Sequence, residues 1–122
     1  MASTPKRVAV FGSTGSIGRN ALEVIAASNG RLQAVAISAH SRLDELVEQA
    51  KQHKPRWVIA CDARASKQYD WSELPKGCEL LTGPDALVRI AGETDVDVLL
   101  AAIVGAAGLE STWAALEAKK TV

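Results

Sequence analysis

The sequence predicts an α/β fold, a doubly wound and mostly parallel sheet with helices on both faces. Short, almost wholly apolar runs alternate with stretches of helical period from end to end, the mark of βαβ units around a sheet buried on two sides. A glycine run, Gly12-Ser13-Thr14-Gly15-Ser16-Ile17-Gly18, directly follows the first apolar run, where a strand must turn abruptly into a helix. The length of 122 residues suits one domain, which buries roughly two thirds of its unfolded surface and needs no disulfide or metal staple.

The first strand is Val8 to Phe11 and the second Leu32 to Ile37. Trp57 to Cys61 is the third, Glu79 to Leu81 a weak fourth, and Val98 to Val104 a long fifth. The first helix carries Ile17, Ala21, Leu22, Val24 and Ile25 on the side expected to face the sheet. The second repeats Leu43, Leu46, Val47 and Ala50 at i, i+3, i+4, i+7. Asp62 to Gly77 is the least regular stretch and is expected to hold a short helix and then a loop. After Gly83, Pro84 suits a first helical turn, where its missing N–H costs nothing, and Leu87, Val88 and Ala91 continue the stripe. Leu109, Trp113 and Leu116 mark a last helix. Lys119-Lys120-Thr121-Val122 reads as the start of a sixth strand, so the fold is expected to be truncated there and the chain to be a fragment.

Fourteen basic and fourteen acidic residues (14 and 14) are interspersed, so no broad field favours nucleic acid or an anionic membrane. Any anion must be bound locally. Cys61 and Cys78 are too far apart for a CxxC motif and too few for a secreted disulfide framework, which points to reduced thiols and a cytoplasmic chain. The polar opening segment and the lack of a run of about 18 apolar residues give no sign of export or membrane insertion. His40 and His53 lack metal-ligand spacing, and Tyr69, the only tyrosine, lacks a Lys four residues on. No catalytic or metal-ligating residue is therefore assigned.

Glycine lets the chain take positive φ and leaves no Cβ between backbone and ligand, while the following helix aims unpaired N–H groups and its positive dipole end at the loop. The spacing is GxxGxxG, and Gly18-Arg19-Asn20 stands where a Walker A loop needs GK[ST]. A strand before and a helix after is the setting of a dinucleotide fingerprint, which makes the expected architecture Rossmann-like. Gly12 supplies the turn, and the amides of Gly15, Ser16 and Ile17 with the hydroxyls of Thr14 and Ser16 are candidate pyrophosphate donors. Either hydroxyl can instead cap the helix.

An NAD-selective site usually places an acidic residue at the end of the second strand to hold the ribose diol. Here the chain reads Ser38-Ala39-His40-Ser41-Arg42, with no acid. Arg42 can pair with a 2′-phosphate and Ser41 can hydrogen-bond it, which favours NADP by about 5- to 30-fold for a partly exposed charge-assisted pair. Alternatively Ser41-Arg42-Leu43-Asp44 is a capping box with Ser41 as N-cap. His40 either stacks on adenine or fills the turn.

GSTGSIG after the first strand and AAIVGAAGL after the fifth, together, resemble the amino-terminal domain of the 1-deoxy-D-xylulose 5-phosphate reductoisomerases over nearly the whole chain. The resemblance implies one NADPH-binding domain over residues 1–122. In that family NADPH reduces a rearranged sugar phosphate to 2-C-methyl-D-erythritol 4-phosphate in non-mevalonate isoprenoid synthesis. It implies that Thr14, Gly15, Ser16 and Ile17 hold the pyrophosphate, that His40, Ser41 and Arg42 meet the 2′-phosphate and adenosine, and that Ala102 and Ile103 approach the nicotinamide. Other members often carry Gly, then Lys or Ser, then Asn where this chain has His-Ser-Arg. The family's LANKE segment, its divalent metal (Mg or Mn) ligands and its substrate-phosphate site are expected after Val122. This chain alone is thus expected to bind NADPH without turnover, and the full-length enzyme to be a homodimer. A stand-alone dinucleotide-binding or redox-sensing module and another two-domain reductase, such as a semialdehyde dehydrogenase, are the competing readings.

Overall fold

The structure is a computed structural model that describes residues 5–101. Among the described residues five parallel strands form one sheet in the order β4-β3-β2-β1-β5. They are β1 Lys6–Phe11, β2 Leu32–Ala39, β3 Trp57–Ala60, β4 Glu79–Thr82 and β5 Val98–Ala101. The helices are α1 Ser16–Ala26, α2 Leu43–His53, α3 Ala63–Gln68 and α4 Asp85–Ala91. The predicted Rossmann-like α/β class is the observed one. The expected residues Ala102 to Val104 of the fifth strand, the last helix with Leu109, Trp113 and Leu116, and the sixth strand lie outside the described residues.

Alternation along the strands feeds two apolar layers. Val8, Val10, Ile37, Val58 and Ala60 face one side, where Leu22 and Ile25 of α1 and Leu43, Leu46 and Ala50 of α2 pack on them. Ala9, Phe11, Trp57, Ile59 and Leu99 face the other, under Ala86, Leu87, Ile90 and Ala91 of α4. The central strands are therefore buried on both faces and read as continuous apolar runs, whereas edge strand β4 is only half-buried. Pairing of β1 with β2 slips between Val8 and Ala9, so that Val8 faces Ala34 and Ala9 faces Ala36. The skipped residue, Val35, joins Ala36 on the α4 side.

One expectation about α1 fails. Ile17 and Val24 are 64% and 61% exposed, and the buried stripe is Gly18, Leu22 and Ile25. A stripe advancing by three and four residues cannot also bury positions one residue to either side, so the five apolar positions span more arc than the sheet covers. The irregular region holds the short helix α3, capped by the Asp62 carboxylate, which accepts from the amides of Arg64 and Ala65. Pro84 stands just before α4 with helical φ and ψ, after Gly83 at φ +90°.

At the amino-terminal edge of the sheet, Arg7 ties β1 to the segment entering β5. Its backbone N–H and its Nε donate to Asp97 Oδ2 at 2.8 and 3.1 Å, and its Nη1 donates to Asp95 at 3.0 Å. Arg56 also pairs with Asp95 and lies over the Trp57 ring at 4.6 Å. The strand order matters most for function. The chain steps outward from β1 to β4, then returns to the far side of β1 as β5. This creates a topological switch point between β1 and β5, where open α/β sheets bind ligands at their carboxyl ends.

Candidate functional site

The glycine run leaves β1 at that switch point. Gly12 takes φ +82°, the left-handed region that glycine tolerates best, and reverses the chain immediately after Phe11. The Gly15 N–H donates to the Gly12 carbonyl at 3.1 Å, closing a tight turn, and the first helical bond runs from Arg19 N–H to Gly15 O at 2.8 Å. The Gly15 amide is therefore used within the loop. The amides of Ser16, Ile17 and Gly18 open α1 with no intrahelical acceptor.

No side chain caps this helix end, and its first turn carries no acidic residue. Capping by Thr14 or Ser16 is thereby excluded: Ser16 is exposed within the first turn, and Thr14, in the loop just before it, is largely buried. Among the described residues the positive end of the α1 dipole has no acidic or capping partner, which is the arrangement that attracts an anion. Gly18 has a packing role. A Cβ there would stand 2.2 Å from the Gly12 carbonyl oxygen, so only glycine lets the helix start so close to the strand end.

At the end of β2, His40, Ser41 and Arg42 are all exposed and adjacent. The capping-box alternative does not hold. Arg42, at φ −84° and ψ 69°, is the residue flanking α2, and no side chain caps that end. Ser41 lies one residue too early and instead offers its carbonyl to the Leu43 N–H at 3.0 Å. Among the described residues the Ser41 hydroxyl and the Arg42 guanidinium make no side-chain hydrogen bond, and Arg42 lies close enough to Glu45 to help hold that carboxyl below its ordinary value.

The structure also brings an acid to this corner from another strand. Asp62, which follows β3, donates its N–H to the His40 carbonyl at 3.2 Å, and its carboxylate lies 3.9 Å from His40 Nε2. A linear reading of the second strand's end misses Asp62, because parallel neighbours are far apart in sequence.

Three further residues shape the loop. Ser38 Oγ accepts the Gly12 N–H at 2.9 Å, and its carbonyl accepts the Ser13 N–H at 2.9 Å. Gln49 of α2 faces Ser13 from the other side: Ser13 Oγ donates to Gln49 Oε1 at 2.6 Å, and Gln49 Nε2 donates to the Ser13 carbonyl at 2.8 Å. Arg19 of α1 and Glu45 of α2 form a two-bond pair, Nε to Oε2 at 2.6 Å and Nη2 to Oε1 at 2.5 Å. Hydrogen bonding from Arg19 holds the Glu45 carboxyl below its ordinary value. Glu45 is thus half-buried and committed to the contact between α1 and α2. The signals in the sequence were a polar Ser38 inside an apolar strand and a polar Gln49 beside the buried stripe of α2.

Burial pushes the Cys61 thiol up to about 11, with a smaller opposing effect from Ser38, so the thiolate needed for redox chemistry is scarce at neutral pH. Ile103 lies outside the described residues. Among the described residues no three His, Cys, Asp or Glu side chains gather into a metal site, and no helix is long and apolar enough to cross a membrane.

Residues 8–122 match the sequence model of the family described as 1-deoxy-D-xylulose 5-phosphate reductoisomerase. Relatives of that name include one from Pseudomonas putida, 43% identical over 98% of this chain and 30% of the relative, and one from Anaeromyxobacter dehalogenans, 44% identical over 96% and 30%. Among solved structures, a DOX-P reductoisomerase in complex with magnesium superposes with a TM-score of 0.84 at 36% identity, covering 96% of this chain and 30% of that one. The 1-deoxy-D-xylulose 5-phosphate reductoisomerase of Zymomonas mobilis in complex with NADPH gives 0.81 at 32% identity, covering 95% and 30%. This chain therefore spans about 30% of the length of these relatives. With a family match running from β1 to the last residue, the chain belongs to the 1-deoxy-D-xylulose 5-phosphate reductoisomerase family.

Proposed function

We propose that residues 1–122 are the NADPH-binding domain of an enzyme that converts 1-deoxy-D-xylulose 5-phosphate to 2-C-methyl-D-erythritol 4-phosphate. The observation that carries this reading is the open start of α1, uncapped and free of acid, at the switch point between β1 and β5. The pyrophosphate lies against Thr14, Gly15, Ser16 and Ile17, with donors from the Ser16 and Ile17 amides and from the Thr14 and Ser16 hydroxyls. Gly12 gives the turn that lets it approach. His40, Ser41 and Arg42 hold the adenosine 2′-phosphate, Arg42 by charge and Ser41 by a hydrogen bond. Ile103 approaches the nicotinamide by likeness to the family.

Bound NADPH supplies the hydride for the reductive half of the reaction. This chain's own residues bind and orient the cofactor. In this reading the divalent ion (magnesium or manganese) and the sugar-phosphate ligands belong to the stretch of the relatives that this chain does not span. The whole enzyme acts as a cytoplasmic homodimer.

Calorimetric titration of the chain with NADPH and with NADH tests the reading. NADPH is expected to bind about 5- to 30-fold more tightly, and Arg42→Ala to remove most of that ratio while leaving NADH unchanged. Equal affinities, or an Arg42→Ala variant with unchanged NADPH affinity, would remove the 2′-phosphate assignment.

A further inference from the structure

Gln49 has a second consequence for the glycine loop through the geometry of a single peptide. The Ser13 carbonyl can only accept a hydrogen bond, so the Gln49 atom 2.8 Å away must be the amide nitrogen, which leaves Oε1 to accept from Ser13 Oγ. The amide thus makes two hydrogen bonds to one loop residue, while Nε2 also donates to Glu45 Oε2 at 3.4 Å within α2. Ser13 is fully buried and Gln49 half-buried, and Ser13 Oγ lies 3.2 Å from the Ser38 carbonyl as well, so the loop residue is held from both α2 and β2.

The described peptide bonds are all trans, and in a planar trans peptide the C=O and N–H point in opposite directions. The carbonyl of Ser13 and the N–H of Thr14 belong to one such plane. Drawing the carbonyl toward α2 turns the Thr14 N–H away from α2. Thr14 is only 7% exposed, and among the described residues no group accepts its N–H. An amide with no acceptor among the described residues is a donor that an anionic ligand can satisfy.

We propose that Gln49 is a positioning residue for the pyrophosphate: it holds the Ser13–Thr14 peptide so that the Thr14 N–H faces the ligand beside the Ser16 and Ile17 amides. This rests on the dinucleotide reading above. Gln49 touches no cofactor atom and acts through Ser13. Its neighbour Glu45, one turn earlier, ties the same helix to α1 through Arg19, so α2 braces the loop on both sides while its amino-terminal end carries Ser41 and Arg42.

The test uses Gln49→Glu, whose carboxylate cannot donate to the Ser13 carbonyl, and Gln49→Met, which is similar in size and uncharged. Wild type and both variants are titrated with NADPH, NADH and adenosine 2′-monophosphate, the last lacking a pyrophosphate. The expected result is a loss of about 10-fold for NADPH and NADH alike in both variants, with their ratio kept and adenosine 2′-monophosphate within about twofold of wild type. Variants that bind NADPH as wild type does overturn the positioning role and leave the dinucleotide reading standing. Loss of adenosine 2′-monophosphate binding in both variants also overturns it, since Gln49 is then a residue of the fold. A wild-type chain that binds adenosine 2′-monophosphate but not NADPH overturns the pyrophosphate site itself, and one that binds neither overturns the dinucleotide reading.

Discussion

The α-carbon of Gly18 lies against the backbone of Gly12: a methyl group built on it stands 2.2 Å from the Gly12 oxygen and 2.6 Å from the Ser13 α-carbon. Both obstacles are backbone atoms of the turn, so no side-chain rotation relieves the overlap. Gly15 differs in kind. A methyl there meets the same oxygen at 3.5 Å, an ordinary contact, and Gly15 is exposed toward the mouth of the loop.

The two glycines therefore separate stability from binding. Gly18→Ala is expected to destabilise the chain by roughly 1–3 kcal/mol, the range for forced overpacking, and to lower NADPH affinity as the helix start shifts. Gly15→Ala should leave the melting temperature nearly unchanged and weaken NADPH. Thermal melts paired with titrations check both. Equal destabilisation by the two substitutions would contradict the close-packing role of Gly18.

Ser38 is buried and holds the Gly12 N–H from within β2. Ser38→Ala leaves that donor without a partner, and a cost of about 1–3 kcal/mol is expected in chemical denaturation. A loss below about 0.5 kcal/mol would mean that the loop finds another acceptor.

Asp62 bears on cofactor choice. Its carboxylate stands beside His40 at the corner assigned to the 2′-phosphate, where a negative charge opposes the phosphate. Asp62→Asn keeps an oxygen to cap α3 and removes the charge. NADPH affinity is expected to rise by about 2- to 5-fold and NADH affinity to stay constant, the scale of one exposed charge at short range. A parallel rise for both nucleotides would place the effect elsewhere.

Cys61 gives a pH dependence. Its folded thiol titrates near 11 against 9.0 for the free group, because burial disfavours the thiolate. The folded chain thus holds the proton more tightly than the unfolded chain. This contribution to stability is complete below pH 9 and is lost as pH rises toward 11. At pH 8, alkylation of Cys61 by iodoacetamide, followed by mass spectrometry, should be far slower than in denaturant. Rapid labelling in the folded state would contradict the burial and revive a redox-sensing role.

The fold was legible because parallel strands buried on two faces are nearly continuous apolar runs, and α2 announced its buried face at the i, i+3, i+4, i+7 positions. The loop's position was legible from its glycines taken together with the apolar strand before them and the helical stripe after. The supports of the loop were not. Ser38, Gln49 and Asp62 act across strands and helices, through contacts 26 to 36 residues apart or through a neighbouring strand. One-dimensional spacing carries no record of such pairings. The wrong face assigned to Ile17 and Val24 has the same origin, because the arc that the sheet covers is a property of the packing, not of the helix alone.

The central claim is that the open start of α1 holds the cofactor's pyrophosphate while Ser41 and Arg42 hold its 2′-phosphate. Titrating the isotopically labelled chain with NADPH and following backbone amide resonances tests it most directly. The account predicts that Thr14, Ser16 and Ile17 shift together with Ser41 and Arg42, and that NADH moves the first group with little effect on the second. Shifts confined to the amino-terminal edge of the sheet around Arg7 and Arg56, or no shifts at saturating NADPH, would contradict it.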